Sequence, residues 1–413
     1  MKIKNQRNYK NIKTEVAAEM NVYHNFKEWQ KKLTDIRRYL HQHPEASMKE
    51  YQTAAYIREY LDRQGIPWRE AGATGTVAVV TGREGGPVIG LRGDIDALEM
   101  EELNDFPHCS RHPGVMHACG HDGHTAALLC AAEYLYAHRE ELPGTVKLIF
   151  QPGEENGEGA ASIVKSGEID DVQGIFGLHV SSSLPTGQVT IRKGVMSSAN
   201  DRFQIWITGK GCHGSTPQKG ADALLAAASL AQTLQSVISR ESDPLKPTVM
   251  TIGILKSGTA FNILPEHAYM EGSIRVLEEA QREKNRDIIR RMAESTAAAY
   301  SCTVKVAFTC TAKVVYNDEA LTDLAVTAAE KLLGREQVGE QELSLGAEDF
   351  AEYLAVSPVT YMNIGSRNEA LGITAPHHHG EFDIDEACLP VCMGMYVQFV
   401  YEYFNIRKCS EKP

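Results

Sequence analysis

The sequence lacks the features that would indicate a membrane or nucleic-acid partner. None of its 413 residues belongs to an apolar run long enough to cross a bilayer, and there is no long basic stripe. Acidic residues outnumber basic ones by 54 to 42, and the formal net charge of -12 argues against nucleic acid or an anionic membrane surface as the main partner. Residues 1–20 have positive charges but no apolar core of a signal peptide, so we expect a cytoplasmic protein.

A disulfide framework and a redox motif are also missing. The nine cysteines are scattered, and none of them forms a C-x-x-C pair. In a reducing compartment most of them are expected to be small buried apolar residues. A redox function is therefore the least favoured, and Cys119 is the one cysteine whose surroundings require another explanation.

The composition is that of an ordinary globular protein, and a length of 413 residues suggests two domains. Apolar residues make up 43% and charged residues 23% of the chain. The spacing of apolar residues predicts two helices between Asn25 and Gln64, followed by strands that begin near Thr76, Pro87, Thr145 and Gly174. Apolar strands that alternate with helices predict a mostly parallel sheet covered on both faces, with the active site beyond the carboxyl ends of its strands.

The pattern changes after about Lys193. The predicted order becomes strand-helix-strand-strand-helix-strand, which is the ferredoxin-like motif. We therefore predict an α/β protein in which an inserted domain (194–311) interrupts a catalytic domain (26–193 and 312–413), with 1–25 as an N-terminal extension.

Two motifs contain residue types that bind metals, one before a predicted helix and one after a predicted strand. In "ACGHDGH", Cys119 and His121 could converge on one ion from a glycine turn, although a buried cysteine beside a helix-capping turn is an equal alternative. Glu154 and Glu155 would ordinarily be a solvated pair, but after a parallel strand one could bind a metal while the other activates water. His124 is expected to pack or form hydrogen bonds near the helix start.

Other candidates are individually ambiguous. His179 ends an apolar run, and the three histidines at 377–379 are either a solvated loop or a source of a ligand. Combined with Cys119 and the glutamates, they make a set of nitrogen, sulfur and oxygen donors typical of zinc or a neighbouring transition metal. Of the two aspartates in "RGDID", Asp94 is favoured over Asp96 as the carboxylate that fixes a ligand histidine.

Six segments resemble, in order, motifs of the metal-dependent aminoacylase and hippurate hydrolase family, which includes auxin-conjugate amidohydrolases and is related to zinc carboxypeptidases. The segments are "LRGDIDALE", "MHACGHDGHTA", "QPGEENGEGA", "GLHV", "GKGCHGSTP" and "HHHGEFDIDE". The resemblance extends over nearly the whole chain from about Phe26. It implies a zinc-peptidase-like fold with a lid domain, and cleavage of N-acyl amino acids into a carboxylic acid and a free amino acid.

The resemblance also implies roles for individual residues. Two divalent metals, from among zinc, manganese, cobalt and nickel, would be bound by Cys119, His121, Glu155, His179 and His378, with Cys119 shared. His378 is chosen because it precedes Phe382 by four positions, although Gly380 stands where the family usually has proline. Glu154 would be the general base.

The inserted domain would complete the site. The resemblance implies that His213 polarises the scissile carbonyl, often from the partner subunit of a homodimer joined through this domain. Asn262 and Arg275 would hold the substrate's amide and carboxylate. The alternatives are a dipeptidase or carboxypeptidase with the same two metals, and a metal-binding protein without catalysis.

Overall fold

The computed structural model describes residues 26–406, so the predicted N-terminal extension lies outside the described residues. The chain divides into a larger unit (26–194, 316–342 and 352–406) and a smaller unit (195–315 and 343–351). In the described range no helix has both the length and the hydrophobicity needed to cross a bilayer.

The larger unit is built on a mixed sheet. Its strands, together with the linking strand β7, are β1 (Trp68–Ala71), β2 (Gly75–Thr81), β3 (Val88–Asp94), β4 (Thr145–Gln151), β5 (Ile175–Pro185), β6 (Val189–Ile191), β7 (Gly194–Ser197), β14 (Val315–Asn317), β15 (Val338–Glu340) and β16 (Val359–Arg367). The central order is β1-β2-β4-β3-β5-β16-β14; off this path, β6 pairs with β16 and β15 pairs with β6. Neighbours from β4 to β14 are parallel, whereas β1 and β2 are antiparallel additions. The predicted mostly parallel sheet is confirmed.

Helices cover this sheet because their apolar residues recur at helical spacing. They are α1 (Gln30–Gln42), α2 (Tyr51–Gln64), α3 (His121–Ala137), α4 (Gly159–Ser166), α7 (Glu319–Leu333) and α8 (Leu389–Tyr403). On α1, Leu33, Ile36 and Leu40 form the buried stripe of an amphipathic helix. By contrast, α3 and α8 are apolar around most of their surface and are buried in the core of this unit.

The smaller unit has a four-stranded antiparallel sheet with two helices. Its elements are β8 (Ala199–Thr208), β9 (Cys212–His213), α5 (Ala223–Ser236), β10 (Thr248–Ser257), β11 (Ile263–Leu264), β12 (His267–Val276), α6 (Glu279–Ala299) and β13 (Thr303–Ala312). The main sheet has the order β10-β12-β8-β13, and α5 and α6 share its apolar core. Asp222 begins α5 by accepting a hydrogen bond from the Leu225 amide at 2.9 Å, as aspartate commonly does at helix starts.

Candidate metal centre

The turn at Gly120 positions Cys119, which precedes α3, and His121, which is the first residue of α3. Gly120 is the N-cap of α3 with a φ of 90°, in the left-handed region that favours glycine. A Cβ atom at this position would lie 2.4 Å from Val180 Cγ2 on β5. The turn therefore packs Cys119 and His121 closely against the strand that contains His179.

Cys119 is the meeting point of three predicted ligands. Its Sγ lies 3.4 Å from His179 Nε2. Cys119, Glu155 and His378 also form a group whose potential ligand atoms lie within 4.8 Å of one another, and His378 Nε2 is 3.4 Å from Glu155 Oε2. The fold thus brings together residues that are as many as 259 positions apart in the sequence (378 minus 119).

A second group joins His121 to the two glutamates. Potential ligand atoms of His121, Glu154 and Glu155 lie within 4.8 Å of one another. Glu155 belongs to both groups, so the five predicted ligands form one continuous cluster with Glu154 beside it. Their roles as ligands and base stay predictions.

Two buried atoms in this cluster have unsatisfied polar capacity. His121 Nε2 and Glu155 Oε1 face each other at 3.9 Å, and neither has a hydrogen-bond partner among residues 26–406. A buried polar atom without a partner destabilises the fold unless something else satisfies it. Together with a thiol and two further imidazoles, these atoms fit a divalent transition-metal ion.

Asp96, and not Asp94, is the carboxylate that contacts Nδ1 of His121. His121 Nδ1 lies 3.1 Å from Asp96 Oδ1 and 3.0 Å from its backbone oxygen, which directs Nε2 toward the cluster. Asp96 Oδ2 accepts hydrogen bonds from the Glu155 amide at 3.1 Å and from Ser47 Oγ at 2.7 Å. One carboxylate thus orients two predicted ligands. Asp94 Oδ2 lies 3.7 Å from His121 Nε2, and its assignment as the carboxylate behind a ligand histidine stays a prediction.

Asp94 instead anchors His124. Asp94 Oδ1 lies 2.5 Å from His124 Nδ1, and His124 Nε2 accepts a hydrogen bond from the Val180 amide at 2.9 Å. Because both ring nitrogens are engaged, His124 holds β5 in place, in agreement with its expected hydrogen-bonding role. Burial favours a protonated Asp94, but the charges of His121 and Arg92 outweigh burial and lower its pKa well below the usual range.

Among the three consecutive histidines, only His378 belongs to the described ligand groups. His377 Nε2 accepts a hydrogen bond from the Ser182 amide at 3.2 Å, and His379 Nδ1 accepts one from the Glu381 amide at 3.2 Å. His378 has a φ of 61°, an uncommon left-handed conformation for a residue with a side chain. This geometry favours the choice of His378 made from the position of Phe382.

Burial sets the protonation of His179 and Cys119, two predicted ligands that lie next to each other. It lowers the pKa of His179 well below its usual value, with nearby His124 and His377 adding to the effect. It raises the pKa of the Cys119 thiol well above its usual value. His179 is therefore in the neutral form that binds metals, and Cys119 has to lose a proton when it becomes a ligand.

Glu50 is a further residue that shapes the site and was not found from the sequence. This buried glutamate accepts hydrogen bonds from the Gly153 amide at 2.8 Å, the Met48 amide at 2.7 Å and Thr74 Oγ1 at 2.5 Å. It fixes the loop that leads to Glu154. No local motif identifies it, because Gly153 and Thr74, the partners that connect it to the site, are distant in sequence.

The smaller unit contains the other predicted site residues. His213 on β9 pairs with Ile263 on β11, and the Gly214 amide donates to the Asn262 carbonyl at 2.9 Å, so His213 and Asn262 lie on adjoining segments. Arg275 belongs to the other sheet, on β12, and its Nη1 donates to the Leu345 carbonyl at 2.6 Å.

Buried sulfur, imidazole and carboxylate donors beyond the ends of parallel strands, with an additional glutamate beside them, define a metal-dependent hydrolase. Residues 90–402 match the model of Peptidase family M20/M25/M40, and the chain belongs to this family. The family predicted from the sequence motifs is thereby confirmed.

Relatives within the family have different stated activities. The chain is 37% identical to N-acetyl-L-cysteine deacetylase of Bacillus subtilis over 87% of its own length and 85% of that protein. It is 38% identical to thermostable carboxypeptidase 1 of Saccharolobus solfataricus over 86% of its length and 91% of that protein. The crystal structure of Bacillus subtilis YXEP, described as a dinuclear metal-binding peptidase of family M20, covers 92% of this chain and is itself covered completely (100%), with a TM-score of 0.81 and 34% identity.

Proposed function

We propose that the protein hydrolyses the amide bond of N-acyl amino acids and releases a carboxylic acid and a free amino acid. The observation on which this rests is the buried pair His121 Nε2 and Glu155 Oε1, which face each other at 3.9 Å beside Glu154. Similarity to N-acetyl-L-cysteine deacetylase supports the N-acyl substrate class.

Five residues are proposed to hold two divalent metal ions. Cys119, His121, Glu155, His179 and His378 supply donors acceptable to zinc, manganese, cobalt or nickel. When bound, such ions polarise an amide carbonyl and lower the pKa of water. Asp96 and Glu50 keep His121 and the glutamate loop in position for this task.

Glu154 is proposed as the general base. Its carboxylate lies within the group that includes His121 and Glu155. It accepts the proton of the attacking water and returns that proton to the leaving amine. The two adjacent glutamates thus divide the work, one as a ligand and the other as a proton carrier.

The smaller unit is proposed to recognise the substrate and to act as a lid. His213 stabilises the developing oxyanion, from its own chain or from the partner subunit of a homodimer. Arg275 pairs with the substrate's carboxylate, because a guanidinium offers two parallel donors, and Asn262 holds the amide. We place this enzyme in the cytoplasm.

The test combines a metal measurement with a substrate panel. The protein is purified without chelator, its metal content is measured, and amino acid release is followed from N-acetyl, N-benzoyl, long-chain N-acyl and indole-acetyl amino acids, with added manganese, cobalt or zinc. Metal-dependent release from at least one N-acyl substrate is expected.

The same panel includes dipeptides and peptides with a free amine. Similarity to a thermostable carboxypeptidase makes peptide cleavage the second candidate function. Turnover of these substrates without any N-acyl turnover would replace the proposed function by that second candidate. Metal binding without turnover of either class would favour a non-catalytic protein.

A further inference from the structure

Arg37 on α1 lies outside the proposed donor set, yet it contacts both segments that lead into it. Its side chain is completely buried, at 0% exposure. Its Nε donates to Asp122 Oδ2 at 2.8 Å, and its Nη2 donates to Asp383 Oδ1 at 2.7 Å. A buried arginine is tolerated only where partners satisfy its charge and donors, and here three carboxylates do so, Asp122 on one segment and Asp383 and Glu386 on another.

The first contact orients the start of α3. Asp122 directly follows His121, and its Oδ1 accepts a hydrogen bond from the Gly123 amide at 2.9 Å. Asp122 Oδ2 also lies 2.7 Å from His41 Nδ1, so both carboxylate oxygens are engaged. Arg37 therefore holds a carboxylate that is rigidly attached to the first turn of the helix, where His121 lies.

The second contact orients the loop that contains His378. Asp383 follows His378 by five positions, and Asn104 Nδ2 holds the neighbouring Phe382 carbonyl at 3.1 Å. Arg37 Nη1 also reaches Glu386 Oε1 at 3.4 Å. At the other end of the loop, the His378 amide donates to the Ala118 carbonyl at 2.9 Å.

We propose that Arg37 is a positioning residue that sets the separation between His121 and His378 and thereby the metal affinity of the cluster. This inference rests on the proposed metal site. The planar guanidinium is required because its separate nitrogens Nε and Nη2 donate to Asp122 and Asp383 at once, whereas an ammonium group is a single point charge on a flexible stem.

The experiment measures metal affinity in Arg37→Met and Arg37→Lys by competition between the protein and a chelator for Mn²⁺. Loss of an outer contact of this kind commonly weakens metal binding by about 10- to 100-fold, and we expect a loss in that range for both variants. The visible absorption of the Co²⁺-loaded protein provides a second readout, because a changed ligand geometry shifts the cobalt bands.

Leu33→Ala is the matched control. Leu33 is fully buried on the same helix but does not belong to the proposed cluster, so its truncation destabilises α1 without touching Asp122 or Asp383. Its Mn²⁺ affinity and Co²⁺ spectrum should equal those of the wild type. If Arg37→Met does not fold, Asp383→Asn, which removes the negative charge facing Arg37 Nη2 and leaves the Asp122 contact intact, is expected to weaken Mn²⁺ binding to a smaller extent.

Failure of this inference differs from failure of the proposed function. Wild-type affinity in folded Arg37→Met, or in Asp383→Asn where Arg37→Met is unfolded, would overturn the positioning role. An equal loss in Leu33→Ala would overturn it as well. A wild-type protein that binds no Mn²⁺, Co²⁺ or Zn²⁺ would instead remove the proposed metal site, on which the inference rests.

Discussion

Cys119 and His121 of the larger unit and His213 and Asn262 of the smaller unit are held in opposite ways. In the larger unit Cys119 and His121 are buried, and His121 is fixed by hydrogen bonds from its outer nitrogen to Asp96. In the smaller unit His213 and Asn262 are exposed and are held mainly through backbone pairing of short strands. The difference indicates that the predicted donors of the larger unit are held more rigidly than His213 and Asn262 of the smaller unit, whose proposed task is to contact a substrate.

Glu154→Gln should have the largest effect on turnover and none on metal content. The amide preserves the shape of the side chain but cannot accept the proton, so we expect kcat to fall by about 10²- to 10⁴-fold. Metal analysis and steady-state kinetics on the same preparation check this. Substantial activity in the metal-loaded variant would show that another group is the base.

His213→Ala tests the smaller unit in the same assay. Loss of one donor to an oxyanion commonly lowers kcat by about 10²- to 10³-fold, and metal content should again be unchanged because His213 belongs to none of the described ligand groups. Loss of metal in this variant would contradict the division of labour between the units.

A mixing experiment sharpens this result. Subunits with His213→Ala are mixed with subunits with Glu154→Gln under conditions that allow exchange. Recovery of activity is expected if His213 acts across a dimer, and no recovery is expected if it acts within its own chain.

Asp96→Asn should weaken metal binding rather than chemistry. The substitution removes the negative charge of the carboxylate that orients His121 and accepts a hydrogen bond from the Glu155 amide. We therefore expect about a 10- to 100-fold loss of metal affinity. Chelator competition measures this loss, and saturating metal should restore much of the activity. Ser47→Ala removes a hydrogen bond to the same carboxylate and should have a smaller effect.

The smallest effect is expected at His108, in the larger unit but outside the donor set. Burial lowers the pKa of His108 to about 4, and the neighbouring charges of Arg37 and His41 add to this while Asp383 opposes it. Between pH 6.5 and about 4, His108 is therefore protonated in the unfolded chain but neutral in the folded protein. Its contribution to the free energy of unfolding is complete above pH 6.5 and is lost as the pH falls toward 4.

The change to make is His108→Gln. Between pH 7 and pH 5 the wild type should lose about 1–2 kcal/mol more of its unfolding free energy than the variant does. Urea unfolding at both pH values measures the difference. Equal losses in the two proteins would assign the acid sensitivity to other groups.

Much of the fold could be predicted because its signals are local. The strand over Thr145–Gln151 matches the apolar run predicted to begin near Thr145, and α6 (Glu279–Ala299) matches the second helix in the element order predicted after Lys193. The five predicted ligands were identified by motif resemblance, and their proximity in the structure agrees with it.

What could not be predicted depends on contacts between distant segments. Whether Asp94 or Asp96 meets His121 is decided by how the loop after β3 turns toward α3, and two aspartates separated by one residue give no local signal of this. Glu50 and Arg37 were missed for a related reason. Each is an ordinary charged residue on a helix or at its start, and only its buried partners reveal its role.

Gly120 shows that the smallest side chain can be the least replaceable one. A Cβ atom there would collide with Val180, and its next neighbours would be Ile384 and Phe382, both near the histidine loop. The space between the helix start, the strand and this loop is thus set by a single hydrogen atom. In a library with every substitution at this position, we expect no tolerated variant, not even alanine, although glycine has no side chain with which to bind a metal or a substrate.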